Sequence, residues 1–525
     1  MEAGNETKME VIYPHCRSCL KAGDWDQMIE ATPGEEEPDV LADVLSSRLA
    51  EDAFPPFLPD LSRLEWSIHR AKNSDCSFAP QDHLVVNPSL ELVRLSWKKL
   101  LAFMSSREEP QKGLEFVVTF KDPKSGELIA RVASDAHLLA LKLVVEGISS
   151  KEAAGQGKVS VTTVDAAVDR AIQDGLLLAP LSRIRRNPQD LPRRESTDQT
   201  FLSAPVFTLQ WHITQACDLH CRHCYDRSQI PSLNLRKALK ILEDLYDFCK
   251  SRNVRGQVSF TGGNPLLYPR FMELYRAASD FGFALAILGN PAPRSVLERI
   301  VAVERPAFYQ VSLEGLQRHN DEMRGPGHYE RVMTLLGVLK DLGIYSMVML
   351  TLTKDNLEQV LPLAQKLRNR ADLFTFNRLS KVGEGSKLAL PSKGRYAAFL
   401  AEYVEASKSN PVIALKDNLL NLVLQREGMD LFGGCAGYGC GAAFNFMAVL
   451  PDGEAHACRK FPSPIGNVLE QGIEGVYVSH AAKRYRSGCA ACSRCTIRPV
   501  CGGCLAVSHS FGLNVFEERD PFCFR

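Results

Sequence analysis

Residues 206–224, VFTLQWHITQACDLHCRHC, decide the fold. Phe207, Leu209, Trp211 and Ile213 alternate with Thr208, Gln210 and His212, the period-two pattern of a strand, and Cys217, Cys221 and Cys224 follow at its carboxyl end as C-x3-C-x2-C. A helix comes next, with Leu235, Ala238, Leu239, Leu242, Leu245 and Tyr246 at helical spacing. A second strand, Gln257 to Phe260, then runs into Gly262-Gly263-Asn264-Pro265. The unit is β-loop-α-β with thiols in its loop. Apolar strands near Ala284 to Leu288, Phe308 to Leu313, Tyr345 to Leu352 and Leu373 to Phe376 continue the alternation with helical stretches. Repeated βα units predict an α/β fold with a parallel sheet, a partial or full barrel, whose chemistry lies at the strand carboxyl ends.

Composition sets the limits around that unit. At 525 residues the chain is too long for one ordinary domain, and 45% hydrophobic with 24% charged residues excludes disordered, fibrous and membrane-spanning classes. With 62 Lys+Arg against 62 Asp+Glu there is no global basic field to hold nucleic acid or an anionic membrane, so neither is expected as a partner. The start, MEAGNETK, lacks the apolar core of a secretory signal, so a reducing cytoplasm is the expected location. There, sixteen cysteines point to metal or redox chemistry and not to a disulfide scaffold.

Three cysteines are one short of the four thiolates that normally hold a 4Fe–4S cluster, which leaves one iron open to a chelating ligand. A zinc site is the competing reading, although zinc wants a fourth protein ligand. The C-x3-C-x2-C group resembles the signature of the radical S-adenosylmethionine (SAM) enzymes, and His223 fits the aromatic usual before the last cysteine. That resemblance implies a partial (β/α) TIM-like barrel in which SAM fills the open iron position. It puts Gly262, Gly263, Asn264 and Pro265 where the family has a Gly-Gly-Glu-Pro loop supporting the SAM amino group, with Asn in place of Glu. Ser312 and Glu314 resemble the ribose-contacting segment, and Asn290 ends the third strand as a further SAM contact.

A second cysteine field begins at Cys435. GGCAGYGCGAAFNF, GEAHACRK, GCAACSRCTIRPVCGGC and DPFC together resemble the SPASM extension of radical SAM peptide maturases, with Cys440, Gly453 and Cys458 in step with its pattern. The resemblance implies a first auxiliary cluster on Cys435, Cys440, Cys458 and Cys504, and a second on Cys492, Cys495, Cys501 and Cys523. Three 4Fe–4S clusters would then be present. Cys501 and Cys504 are one residue closer than usual, so Cys489 is a possible substitute for Cys504, and a zinc ribbon remains the other reading. Cys249 is expected to be a core thiol, and Cys16 with Cys19 a C-x2-C pair without a metal role.

Residues 1–110 read as a helical domain, with PPFLPDLSRLEWSIHRA and SLELVRLSWKKLLAFM at helical spacing, core tryptophans, and acidic Glu35 to Glu37 in a loop. Over 111–185, LEFVVTF and LIARVAS joined by DPKSG read as a hairpin. Ser134 caps a helix, and a further helix through Val164 to Ile172 stops at Gly175, making a winged-helix module. Its last helix is not basic enough for DNA, and the module resembles leader-peptide recognition domains, which take a peptide as an added strand. Residues 186–204 read as a linker. Arg183, Arg185, Arg186, Arg193 and Arg194 around it are read as solvated. The barrel is placed at 205–425 and the SPASM domain at 426–525.

The resemblance implies an oxidoreductase that reductively cleaves SAM and uses the 5'-deoxyadenosyl radical to abstract hydrogen from a ribosomally made precursor peptide carrying a leader. A flavodoxin or ferredoxin-type protein would supply the electron. Arg459 stands where sulfatase maturases place an acidic residue, which argues against formylglycine formation. GGNPLLYP, NRLSKVGEG and GCGAAFNF resemble maturases of small Cys- or selenocysteine-containing (selenobiotic) peptides, for which a thioether crosslink is the favoured product, with carbon–carbon crosslinking or epimerisation open. Maturation of a quinone cofactor or dehydrogenase subunit, and a non-enzymatic iron–sulfur redox sensor, are the alternatives.

Overall fold

The structure, a computed structural model, describes residues 8–32, 40–48, 54–79, 81–187 and 199–525. Glu35 to Glu37, Arg193 and Arg194 lie outside the described residues. The chain divides into two compact units, Met1–Leu181 and Ser182–Arg525.

In the first unit, helices Pro14–Cys19, Ala22–Glu30, Val40–Arg48 and Leu58–Asn73 enclose Tyr13, Cys16, Trp25, Met28, Leu45 and Trp66. The tryptophans are core residues, as their spacing implies. SLELVRLSWKKLLAFM departs from its helical reading. The unit's strands are β1 (Val85–Val86), β2 (Glu91–Lys98), β3 (Gln111–Lys121), β4 (Leu128–Val132) and β5 (Leu177–Leu178), so the first half of that stretch is β2 and only Leu100–Ser106 is helical. Val93, Leu95 and Trp97 turn inward in step two along β2, and the buried Asp60 accepts from Ser96 N (2.5 Å) and Trp97 N (3.1 Å), fixing the strand edge where its register shifts. Leucines serve either period, and this tertiary bond decides between them. The β3–β4 hairpin forms as read, in an antiparallel sheet of order β2-β3-β4. Ser134 caps Asp135–Glu146 by accepting from His137 N, and Gly175, at φ +81, follows Val161–Gln173.

The second unit is built on β6 (Val206–Thr214), β7 (Arg255–Gly262), β8 (Ala284–Leu288), β9 (Phe308–Ser312), β10 (Ser346–Leu352) and β11 (Leu373–Arg378). These strands are parallel, in sequence order, with helices between them, and form the expected partial barrel. The second cysteine field adds β12 (Phe446–Val449), β13 (Glu454–His456) and β14 (Pro464–Asn467) to the same sheet, β12 lying parallel to β6. Phe207, Phe260 and Phe376 are buried on the side of the sheet that faces the helices, against Phe248, Tyr275 and Phe399. Among the described residues no helix is long and apolar enough to cross a membrane.

The residues just before the barrel depart from the linker reading. Ile184 is buried, Arg183 N donates to Arg252 O, Arg186 N to Leu202 O and Ala204 N to Ile184 O. Farther on, a buried ion network ties β11 to the chain's end. Arg378 donates through Nε to Asp417 Oδ2 (2.8 Å) and through both Nη atoms to Asp520 (2.9 and 2.6 Å), while Asp520 Oδ2 also accepts from Cys504 N (2.9 Å). Breaking such a pair strands an unpaired charge in the interior. Arg378→Met is therefore expected to cost about 3–5 kcal/mol in denaturant unfolding of the full chain. Arg378→Lys, which keeps the charge, is expected to cost less.

Candidate active site

The thiol loop begins where β6 ends at Thr214 and is gripped on several sides. On one, Gly263 N donates to Thr214 O (2.9 Å) and Asn264 N to Ala216 O (2.7 Å). Backbone lies so close to backbone that a Cβ on Gly262 would stand 2.1 Å from Thr214 O, and one on Gly263 2.3 Å from Ala216 O. Gly262 also sits at φ +128, so the glycines are required by both conformation and space. On a second side, Arg222 N donates to Met323 O (2.9 Å) and Arg324 Nη1 to Cys221 Sγ (3.6 Å). On a third, Glu384 N donates to Cys224 O (2.9 Å) from the loop after β11.

Beneath the loop lies Glu314. Its Oε1 accepts from Arg324 Nε (2.8 Å) and Nη2 (2.6 Å) and stands 3.3 Å from His223 Nε2, and its Oε2 accepts from Thr351 N (2.8 Å). Burial would raise the carboxyl pKa, but His223, Arg324 and these hydrogen bonds outweigh it and hold it down to about 2. Glu314, read as a ribose contact, is fully buried and does not line the cavity, and its oxygens are engaged in bracing Arg324 under Cys221.

The cavity itself, about 450 Å³, opens at the carboxyl ends of the strands. Cys217, Cys221, Cys224, Gly262, Gly263, Asn290 and Ser312 line it, so the structure brings these sequence-predicted residues together. Asn264 and Pro265 are buried behind the wall. Asn264 Nδ2 donates to Asp218 Oδ1 (3.0 Å), which also accepts from Asn290 Nδ2 (2.6 Å), and Asn290 Nδ2 lies 3.5 Å from Cys217 Sγ. An amide suits position 264 because a carboxylate there would face that of Asp218. Sequence reading missed Gln310, Met349, Thr351 and Asn377, which also line the cavity. Their signal was available: the alternation that turns Ser312 inward extends to Gln310, and Met349 is the register partner of Ser312 as Asn377 is of Thr351. Arg324, on the helix Gln317–Arg324, had no such signal.

Arg459 and Lys460 of the second cysteine field close the cavity from another side, with Arg459 Nη1 3.5 Å from Thr261 Oγ1 and Lys460 Nζ donating to Arg378 O (2.9 Å). In that field the thiols fall into two sets. Burial pushes Cys440 up to about 12 and Cys458 up to about 11, and Cys435 and Cys504 are close enough to both to add to the rise. Cys492, Cys495, Cys501 and Cys523 line a second pocket. Cys489, read as a possible substitute for Cys504, accepts at its backbone oxygen from Cys492 N (3.1 Å). Cys249 is buried, as read, and Cys16 is buried too.

The donor chemistry of these sites suits thiolate-held clusters. Buried thiols that resist ionisation alone become thiolates when they bind metal, and N–H donors aimed at ligand sulfur are the usual outer support. Arg324 at Cys221, Asn290 at Cys217 and Arg525 Nη1 at Cys495 Sγ (2.9 Å) are such donors. The first set has three thiols facing an open cavity, and each of the others has four.

Residues 211–367 match the radical SAM superfamily. The chain carries a radical SAM domain. Residues 440–504 match the SPASM iron–sulfur cluster-binding domain. The two domains imply SAM and 4Fe–4S clusters as cofactors and make the protein an enzyme. Among similar proteins, an AdoMet-dependent heme synthase of Methanosarcina barkeri is 26% identical over 60% of this chain and 95% of its own. The antilisterial bacteriocin subtilosin biosynthesis protein AlbA of Bacillus subtilis is 23% identical over 56% of this chain and 66% of its own. SuiB of Streptococcus suis, solved bound to precursor peptide SuiA, shares the fold at a TM-score of 0.51 and 18% identity, over 78% of this chain and 96% of that one.

The contact between Asn264 and Asp218 gives the radical SAM domain a direct test. Asn264→Glu sets two carboxylates at hydrogen-bond distance, a cost of about 1–4 kcal/mol. SAM binding, measured by equilibrium dialysis, is expected to weaken about tenfold or more. Asn264→Glu combined with Asp218→Asn is expected to restore it.

Proposed function

We propose that this radical SAM enzyme matures a ribosomally made precursor peptide. The observation that carries the reading is the three-thiol loop opening onto a cavity that the second cysteine field closes with Arg459 and Lys460. A substrate in that cavity lies between the first thiol set and a field of thiols suited to passing electrons. Cys217, Cys221 and Cys224 would hold a 4Fe–4S cluster, Gly262 and Gly263 would present backbone to the amino group of SAM, and Asn290 and Ser312 would border it. When bound, the cluster and SAM supply one-electron reduction and a 5'-deoxyadenosyl radical able to abstract hydrogen. Cys435, Cys440, Cys458 and Cys504 would hold one auxiliary cluster, and Cys492, Cys495, Cys501 and Cys523 another.

The chain's own residues supply position and enclosure. Arg324, braced by Glu314, holds the loop from below. For the peptide, β4 is an edge strand of the β2-β3-β4 sheet, and Leu128 and Val132 on it are exposed, which suits capture of a leader as an added strand. The similarity to AlbA and the fold shared with SuiB support a peptide substrate. A thioether crosslink is the favoured product, and a flavodoxin or ferredoxin-type donor the electron source.

Anaerobically reconstituted, reduced protein given SAM is expected to release 5'-deoxyadenosine and to contain about twelve iron atoms per chain. Cys217→Ala is expected to abolish that release and keep the auxiliary iron, while Val132→Glu is expected to weaken precursor-peptide binding and leave release from SAM alone unchanged. No 5'-deoxyadenosine from fully loaded protein would contradict the enzyme reading, and about four iron atoms would remove the auxiliary clusters.

A further inference from the structure

Three arginines meet beside the second cysteine field with no acid among the described residues to pair with. Arg186, from the stretch before the barrel, donates through Nη2 to Tyr438 O (2.6 Å) and Cys440 O (2.7 Å), and through Nη1 to Arg486 O (3.4 Å). Its guanidinium lies over the Phe444 ring, 4.2 Å from the centroid, and its enclosed Nε has no hydrogen-bond partner. Arg486 donates to Ala443 O (2.9 Å) and lies over Tyr477, and Arg498 donates to Ser487 O. Every one of these partners is neutral. Among the described residues, no ion pair with a carboxylate involves Arg186, Arg486 or Arg498. An arginine guanidinium stays protonated in a protein, so all three side chains are cationic.

The three arginines line a cavity of about 320 Å³ that also meets Cys440 of the first auxiliary thiol set, Cys492 of the second and Cys489, and among the described residues no carboxylate lines it. Arg186 is half-buried, and a charge drawn partly out of water with no counter-charge among the described residues is unfavourable, which neutral carbonyls and a ring face offset only in part. Of the groups around the cavity, the thiols are the ones that become anionic on binding metal. A 4Fe–4S core of charge 2+ on four thiolates carries about −2, and about −3 once reduced by one electron.

We propose that Arg186, with Arg486 and Arg498, is the counter-charge of the auxiliary clusters and raises the reduction potential of the cluster on Cys435, Cys440, Cys458 and Cys504. This rests on the reading that those thiols hold a cluster. Arg186 is a positioning residue here, acting on the cluster through the Cys440 backbone and through its field. The positive charge favours the reduced, more negative state, so the electron released during substrate oxidation is drawn toward this end of the molecule. The stretch before the barrel thereby becomes part of the electron-accepting site.

The test is a potentiometric titration of the full, anaerobically reconstituted chain, with dithionite as reductant and each cluster followed by EPR, after iron has been counted. Arg186→Gln with wild-type iron is expected to lower the midpoint of one auxiliary signal so that its reduced-to-oxidised ratio at fixed potential falls at least threefold, about 30 mV for one electron. Arg186→Lys should fall less, and the signal that changes on SAM addition should not move. Arg498→Gln removes a neighbouring charge without touching Arg186 and should lower the midpoint of an auxiliary signal as well. If Arg186→Gln loses auxiliary iron, restoration by Arg186→Lys supports the charge role and failure to restore it overturns that role. Unmoved midpoints at full iron overturn it as well, including the case where inorganic phosphate stabilises the wild type but not Arg186→Gln, which would make the cavity an anion site. A wild type with about four iron atoms would overturn the auxiliary-cluster reading itself, and this inference with it.

Discussion

Two backbone hydrogen bonds carry the site: Gly263 N to Thr214 O and Asn264 N to Ala216 O. They join the end of β7 to the end of β6, so the loop bearing Cys217, Cys221 and Cys224 takes its place from the sheet and not from its own sequence. Backbone atoms can approach this closely only where no Cβ intervenes, which is why two glycines end β7. The thiols, the cavity wall and the amide of Asn290 then follow from one register. The same clamp sets Asn264 against Asp218, and the departure from the Gly-Gly-Glu-Pro pattern becomes a matched pair of side chains.

A second constraint joins the two cysteine regions. β12 pairs with β6, the strand that delivers the first thiols, and Arg378 at the end of β11 holds Asp520, which in turn holds Cys504. The second cysteine field is therefore an extension of the barrel sheet and supplies one wall of the cavity. Arg459 and Lys460 reach that cavity because Cys458 stands just past β13, beside the barrel's open end.

Much of this was legible in the sequence, for identifiable reasons. The six parallel strands announce themselves by apolar runs at regular intervals, and thiols at fixed spacings mark the loop and the second field. Contacts between distant elements were not legible. β2 reads as a helix until Asp60 fixes its edge, and Arg186 reads as solvated linker because nothing local shows that Tyr438 and Cys440 lie above it. Glu314 was found by its position at a strand end, but its task depended on Arg324, ten residues on, and on Thr351 of the neighbouring strand. Spacing reveals which groups a chain offers; burial and partners decide which of them face a ligand.

The central claim is that the Cys217, Cys221 and Cys224 site is open on one side to SAM. The most direct measurement is the EPR spectrum of the reduced, reconstituted protein with and without SAM. One cluster signal should change on SAM addition, and that signal should be the one lost in Cys217→Ala. A spectrum unaltered by SAM in protein with its full iron content, or a SAM-sensitive signal that survives Cys217→Ala, would contradict it.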